Sequence, residues 1–206
     1  MDFPTVTLEE LVAKLHEHDL SSNDLVQTAL AKVKEFYVND ERRNKDPVLE
    51  GHLYPVAMYV IEHQEFIHQR AIPELVAGAL THDLIEDKIH DQLFISIFGE
   101  VLYGIVKPVT KPWRRYIGRA DEEYREWRRA CNREDFNALE IAPQESKLIK
   151  LADRLHNMYC IDKPKRISQY IEQAKEFYLP FAQRFSQYFH VRIKQRTEEL
   201  KRIMQS

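Results

Sequence analysis

The stretch ALTHDLIED, residues 79–87, decides how this chain reads. Leu75, Val76, Ala79, Leu80 and Leu84 recur around it at helical spacing, and Pro73 suits a first helical turn, which predicts a helix over about 72–87. Neighbouring His82 and Asp83 offer one imidazole nitrogen and one carboxylate oxygen. Such a pair can chelate a divalent ion where its helix faces a cavity. Glu86 follows His82 by four residues and Asp87 follows Asp83 by four, so a continuous helix gathers four ionisable groups on one face. A His-Asp pair alone is common as a capped turn or a surface pair, and Glu86-Asp87 alone reads as a solvated helix end.

Two further stretches change the weight of that pair. KLIKLADRLHNM, residues 147–158, puts Asp153 and Asn157 on one helix face and Leu148, Leu151 and Leu155 on another. GHLYPVA, residues 51–57, sets His52 at the entrance to a helix bearing Val56, Ala57 and Val60. His52, His82, Asp83 and Asp153 amount to two nitrogens and two oxygens from three separate elements. That mixture suits Mn²⁺, Fe²⁺ or Zn²⁺ better than Mg²⁺ or Ca²⁺, which prefer all-oxygen shells, and Mn²⁺ is the expected ion. Four protein ligands on a six-coordinate ion leave positions for water and substrate.

The rest of the 206 residues reads as helix. Only five glycines are present, and no stretch alternates convincingly in hydropathy. Thr7 and Glu10 form a capping-box pattern ahead of Leu8, Leu11, Val12 and Leu15. Ser21 or Ser22 should start a second helix through Leu25, Ala29, Val33 and Phe36. Residues 39–51 read as a polar loop carrying Arg42, Arg43 and Lys45. Helices are expected near 53–63, 91–98 and 100–109, with Gly99 between the last two. Others are expected over 120–133, 144–160 and 166–178, and from Pro180 onward. A net charge of -3 supplies no general attraction to nucleic acid, which is not an expected partner. No apolar run is long enough to span a bilayer, the N-terminus lacks a signal-peptide pattern, and Cys131 and Cys160 form no C-x-x-C motif. The expectation is a cytoplasmic protein with reduced thiols.

GHLYPVA, HDLIED and KLADRLHNM, in that order, resemble the hydrolase domain of the RelA/SpoT family, a branch of the HD superfamily of metal-dependent phosphohydrolases. FGEVLYGIVKPVTK, residues 98–111, resembles the family's segment between the last two motifs. The resemblance covers about residues 25–160. It implies an all-α HD-domain bundle over residues 1–206, with 161–206 as a helical C-terminal extension. No synthetase motif follows, so the chain looks like a small alarmone hydrolase, the single-domain form found also in animals. On this likeness His52, His82, Asp83 and Asp153 are the metal ligands, and Glu86 and Asp87 activate water and relay protons. Asn157 contacts the nucleotide. Lys45, in RNKDP, matches the basic residue ahead of the first histidine, with Arg43 as the alternative. The implied reaction is removal of the 3′-diphosphate of (p)ppGpp, giving GDP or GTP and pyrophosphate, as in the stringent response.

The chain departs from the family pattern in three places. Pro55 follows Tyr54 where His-Pro is usual; the spacing to Val56-Ala57 selects His52, and Tyr54 is the other candidate. The interval from His52 to His82 is long, leaving His63 and His68 without a role. Tyr159-Cys160 replaces a common Arg-Thr, which leaves base recognition open. Two other functions therefore stay in view: a phosphatase of NADPH or of a deoxynucleotide, and a nucleotide-sensing module without turnover. His90-Asp91 reads as a helix start and His156 as a supporting or core residue. Lys107, Lys111, Arg114, Arg115 and Arg119, interleaved with Trp113 and Tyr116, read as a solvated loop or as a lid over phosphates.

Overall fold

The computed structural model describes residues 4–42, 45–64, 72–111 and 121–205, the first two residues of the last stretch by backbone only. The described residues are all-α, with a lone bridge between Glu41 and Pro47 and no β-strand. Local chemistry sets the first helix, α1 (Leu8–Glu17). Thr7 Oγ1 accepts from Glu10 N at 3.2 Å, and Glu10 Oε2 accepts from Thr7 N at 2.7 Å, so two otherwise orphaned amides are satisfied. The second helix, α2 (Asp24–Tyr37), starts later than Ser21 or Ser22 would place it. Asn23 is the cap, its Oδ1 accepting from both Leu25 N and Val26 N.

A π-helical turn, Leu49–Leu53, feeds α3 (Tyr54–Glu62), so the end of the expected loop is helical. Helices α3 and α4 (Ile72–Thr81) are apolar nearly all round. Tyr54 to Ile61 and Leu75 to Thr81 are all buried, as a central helix pair requires. Around them lie α1, α2, α6 (Asp91–Val106) and α8 (Gln144–Tyr159). Gly78 is what lets α4 approach so closely. A Cβ there would stand 2.9 Å from Ile149 Cδ1 of α8 and 3.2 Å from Ile105 Cγ2 of α6.

The helix expected over 72–87 is broken at His82-Asp83 and resumes as the single turn α5 (Leu84–Asp87). His82 Nδ1 donates to Ala79 O at 2.8 Å, taking the carbonyl that would accept from residue 83 in an unbroken helix. Gly99, at φ +82°, interrupts α6 where two helices are expected, and that run ends at Val106, short of Val109. The long helix α7 (Asp121–Ile141) extends past Arg133, the end expected for it. The C-terminal part forms α9 (Pro164–Gln173), a π turn at Ala174–Tyr178, α10 (Leu179–Phe185) and α11 (Gln187–Gln205). The expected final helix is split at Ser186, whose extended backbone (ψ 109°) ends α10 and whose Oγ accepts from Phe189 N. Helices α10 and α11 pack on α8, with Tyr59 of α3 meeting Phe189, so this layer closes one core with the central pair. No described helix is long and apolar enough to cross a membrane.

Candidate metal centre and its cavity

Three chain segments converge at the end of the central helix pair. The π turn ahead of α3 brings His52, the break after α4 brings His82 and Asp83, and the middle of α8 brings Asp153. His52 Nε2 lies 3.2 Å from His82 Nε2, 3.3 Å from Asp83 Oδ2 and 3.5 Å from Asp153 Oδ1. His82 Nε2 lies 3.3 Å from Asp83 Oδ1 and 3.9 Å from Asp153 Oδ1. His52, His82 and Asp83 thus present donor atoms all within 4.8 Å of one another. Both histidines are buried, and Asp153 is nearly so. Tyr54, the alternative to His52, is buried in the apolar core at the start of α3.

These groups set one another's charge. Burial works against a charged His82, but Asp83 and Asp153 override it and push its pKa up to about 9. Burial lowers His52, with Asp83 opposing. Burial also opposes ionisation of Asp83, yet the charge of His82 beside it holds its carboxyl well below the usual range. Asp153 is lowered as well: burial is outweighed by Lys150, 3.7 Å from its Oδ2, and by His82. The donor set fits a divalent ion. Two imidazole nitrogens and two ionised carboxylates turned at one buried point call for a cation between them.

His52, Asp83 and Asp153 line the floor of a cavity of about 370 Å³, with His82 behind them. Glu86 and Asp87 stand at its edge. Glu86 Oε2 accepts from Lys111 N at 3.2 Å, and Asp87 Oδ2 accepts from Tyr37 Oη at 3.4 Å. Burial, with Asp83 and Glu86 close by, raises the pKa of Asp87. Asn157 is oriented on both sides. Its Nδ2 donates to Asp153 Oδ1, and its Oδ1 accepts from Arg42 Nη2 at 2.8 Å.

Arg42 is the basic residue that the loop before His52 delivers to this wall, anchored also by Nη1 to Gly51 O at 3.1 Å. Lys45 does not reach it. Its backbone is left-handed at φ +74°, and its side chain is 84% exposed and 3.6 Å from Glu41. The turn that carries it, closed by Arg42 N to Asp46 O and Lys45 N to Arg42 O, points Lys45 outward. Arg43 lies outside the described residues, as do residues 112–120 with Trp113 to Arg119, and His68. His63 stacks on Tyr188, away from the cluster.

The cavity's remaining wall holds Lys111, read above as part of a solvated loop or a lid over phosphates, together with Lys163, Arg166 and Tyr170, which went unread in the sequence, and Cys160 and Asp162. The Arg154 guanidinium backs the Tyr170 ring at 3.9 Å from its centroid. The signal for this wall is the cationic, aromatic spacing of DKPKRISQY, which looks like any charged helix start. His156 supports the cluster from behind, its Nδ1 3.0 Å from Nδ1 of His52. Burial, with His52 and Arg42 near, keeps its pKa well below the ordinary value. His90 caps α6 and Asp91 pairs with Lys107, so the second His-Asp pair has a local role. A depression of about 360 Å³ between α7 and α9 has neither histidine nor aspartate on its walls, and the chemistry belongs to the other cavity.

Comparison with known proteins fits this geometry. The HD domain family profile matches residues 49–158, a little over half of the chain and every element of the cluster. A probable chloroplastic GTP diphosphokinase of Oryza sativa subsp. japonica is 25% identical over 173 residues, covering 81% of this chain and 23% of its own length. A GTP pyrophosphokinase of Brucella suis biovar 1 is 28% identical over 189 residues, covering 85% and 22%. A probable guanosine-3′,5′-bis(diphosphate) 3′-pyrophosphohydrolase of Synechocystis sp. is 28% identical over 116 residues, covering 53% and 14%. The chain therefore spans less than a quarter of the length of these curated relatives. A solved structure described as a metazoan ortholog of SpoT that hydrolyzes ppGpp matches with a TM-score of 0.65 at 18% identity, over 86% of this chain and 96% of the other. At that identity the likeness is one of fold.

Proposed function

Because the chain belongs to the HD domain family, we propose that it is a metal-dependent phosphohydrolase that removes the 3′-diphosphate of (p)ppGpp or of a nucleotide of that shape. The observation that carries the reading is the buried His52–His82–Asp83 cluster, flanked by Asp153, on the floor of a cavity walled by cations and one aromatic ring. His52, His82, Asp83 and Asp153 would hold the ion; the mixed nitrogen and oxygen set suits Mn²⁺, Fe²⁺ or Zn²⁺, of which Mn²⁺ is the one proposed. Such an ion supplies a water of lowered pKa and offsets charge on the attacked phosphoryl oxygens.

The chain's own residues do the rest. Arg42, Lys111, Lys163 and Arg166 meet the phosphates, and Tyr170 offers its ring to the base. Asn157, held between Asp153 and Arg42, orients the nucleotide at the edge of the cluster. Asp87, raised by burial and by its acidic neighbours, takes the proton from the attacking water, and Glu86 beside it relays protons. Water adds across the P–O bond to the 3′-oxygen, which leaves protonated on the nucleoside as pyrophosphate departs. A cytoplasmic setting agrees with Cys131 and Cys160 as cysteines outside any C-x-x-C motif.

One observation keeps a second substrate class open. Cys160 stands on the cavity wall where the family commonly has a threonine, so another nucleotide phosphate such as NADPH is the alternative. A sensing module without turnover would not need Glu86 and Asp87 at the cavity edge. Turnover on a panel of (p)ppGpp, NADPH and deoxynucleotides, with and without Mn²⁺, tests the reading by product release. Pyrophosphate from (p)ppGpp in the presence of Mn²⁺ is the expected result. No turnover of any member of the panel would overturn it.

A further inference from the structure

We propose that His156 is a positioning residue. It fixes the single proton of neutral His52 on Nδ1 and so turns the Nε2 lone pair toward the ion. This rests on the reading of His52 as a metal ligand. The argument runs along one line of atoms. The carbonyl of Pro4 lies 3.3 Å from His156 Nε2, and a carbonyl can only accept, so His156 carries its hydrogen on Nε2. Its Nδ1 is then a lone pair, 3.0 Å from Nδ1 of His52. Two lone pairs cannot face each other at that distance, so His52 Nδ1 donates. His52 Nε2 is left bare, 3.3 Å from Asp83 Oδ2 and 3.5 Å from Asp153 Oδ1.

Neither histidine can easily exchange this arrangement with water, because His52 and His156 are both buried. The sulfur of Cys160, 3.6 Å from His156 Nε2, is only a weak acceptor beside the carbonyl. The other ligand uses the same device with a backbone partner, His82 Nδ1 donating to Ala79 O. His52 has no carbonyl in that position and uses a second imidazole instead. The N-terminal segment supplies the last acceptor. It is laid along the same turn, with Val6 N donating to Glu50 O at 2.9 Å, so Pro4 and His52 are held in register. Fixing a ligand's tautomer through its outer nitrogen is worth roughly tenfold to a hundredfold in metal affinity.

The test combines tautomer spectroscopy with Mn²⁺ binding. Long-range ¹H–¹⁵N correlation on the metal-free protein should show His52 protonated on Nδ1 and His156 on Nε2. A proton on Nε2 of His52 overturns the proposal and needs no variant to detect. Mn²⁺ titrations followed by electron paramagnetic resonance then compare wild type with His156→Leu and His156→Gln. Glutamine can accept from His52 through Oε1 and donate to Pro4 through its amide, so it should bind Mn²⁺ nearly as wild type does. Leucine fills the space without either bond and should weaken binding roughly tenfold to a hundredfold, with mixed tautomers at His52. If leucine binds as tightly as wild type, or glutamine as weakly as leucine, His156 only packs and the proposal fails. If the leucine variant does not fold, the wild-type tautomers and the glutamine variant still decide. Wild-type protein that binds no divalent ion would sink the metal-centre reading, while the metal-free spectra would still judge the His156–His52 bond.

Discussion

Metal uptake at neutral pH should expel close to one proton per ion, and the proton should come from His82. Without an ion, His82 Nε2 has Asp83 Oδ1 at 3.3 Å and Asp153 Oδ1 at 3.9 Å. Burial disfavours charge there, yet the two carboxylates push the imidazole up to about 9. Its Nδ1 is committed to Ala79 O, so the titrating proton sits on Nε2, the atom that must give its lone pair to the ion. At pH 7 roughly 99% of metal-free molecules carry that proton. His52, lowered by burial, contributes none. Proton and ion compete for one position, so the apparent association constant should rise about tenfold per pH unit from 7 to about 9 and flatten above.

Calorimetric titration with Mn²⁺ at pH 7, in buffers of different ionisation enthalpy, measures the released proton directly. The slope of observed heat against buffer enthalpy should be close to one proton per ion. The same titration at pH 9 should give about half of that, because His82 is then half deprotonated beforehand. A slope near zero at pH 7 with full metal occupancy would refute the reasoning. It would mean that His82 is neutral in the metal-free protein or lies outside the coordination sphere.

Other substitutions separate the roles of neighbouring residues. Asp83→Asn should lose the ion and turnover together, by elemental analysis after desalting, because an amide is a poorer ligand than a carboxylate. Asp87→Asn and Glu86→Gln should keep the ion while kcat falls about a hundredfold or more, the usual scale for losing a general acid or base; a variant stripped of metal would make that residue a ligand instead. Arg42→Ala should raise KM, since it removes a cation from the cavity and a support from Asn157, whereas Lys45→Ala should leave KM unchanged. Gly78→Ala should destabilise the fold by about 1–3 kcal/mol through overpacking against Ile149 and Ile105, read as a lower denaturant midpoint at constant slope.

What the sequence made legible was local or periodic. The Thr7–Glu10 box forms because donor and acceptor are three residues apart, and nothing distant competes for them. The helices themselves were legible for the same reason, since the apolar spacing of Val56, Ala57 and Val60 and of Leu75, Val76, Ala79 and Leu80 is local, whereas their place as the buried central pair is visible only in the fold. The candidate ligands were legible as residue types at three motif positions, while their convergence is a property of the fold. Asp153 reaches His52 across 101 residues of chain, with nothing in either segment naming the other.

The misreadings have the same origin. Helical periodicity runs unbroken from Leu75 to Leu84, but His82 spends its Nδ1 on the Ala79 carbonyl where the helix ends. The His82-Asp83 pair therefore stands at a helix end, and Glu86 and Asp87 occupy a separate turn that lines the cavity. For the basic residue ahead of His52 the resemblance pointed to Lys45, with Arg43 as the alternative, and passed over Arg42. A left-handed residue at Lys45 and a bond from Arg42 to Asn157, 115 positions away, made the choice. That bond also joins the recognition wall to the metal floor. Arg42 holds Asn157, Asn157 holds Asp153, and Asp153 lies against both histidines. On the proposed function, a nucleotide drawing Arg42 onto its phosphate would pull on Asp153 two contacts away, so substrate affinity and metal affinity should be thermodynamically linked, each strengthening or weakening the other by the same factor.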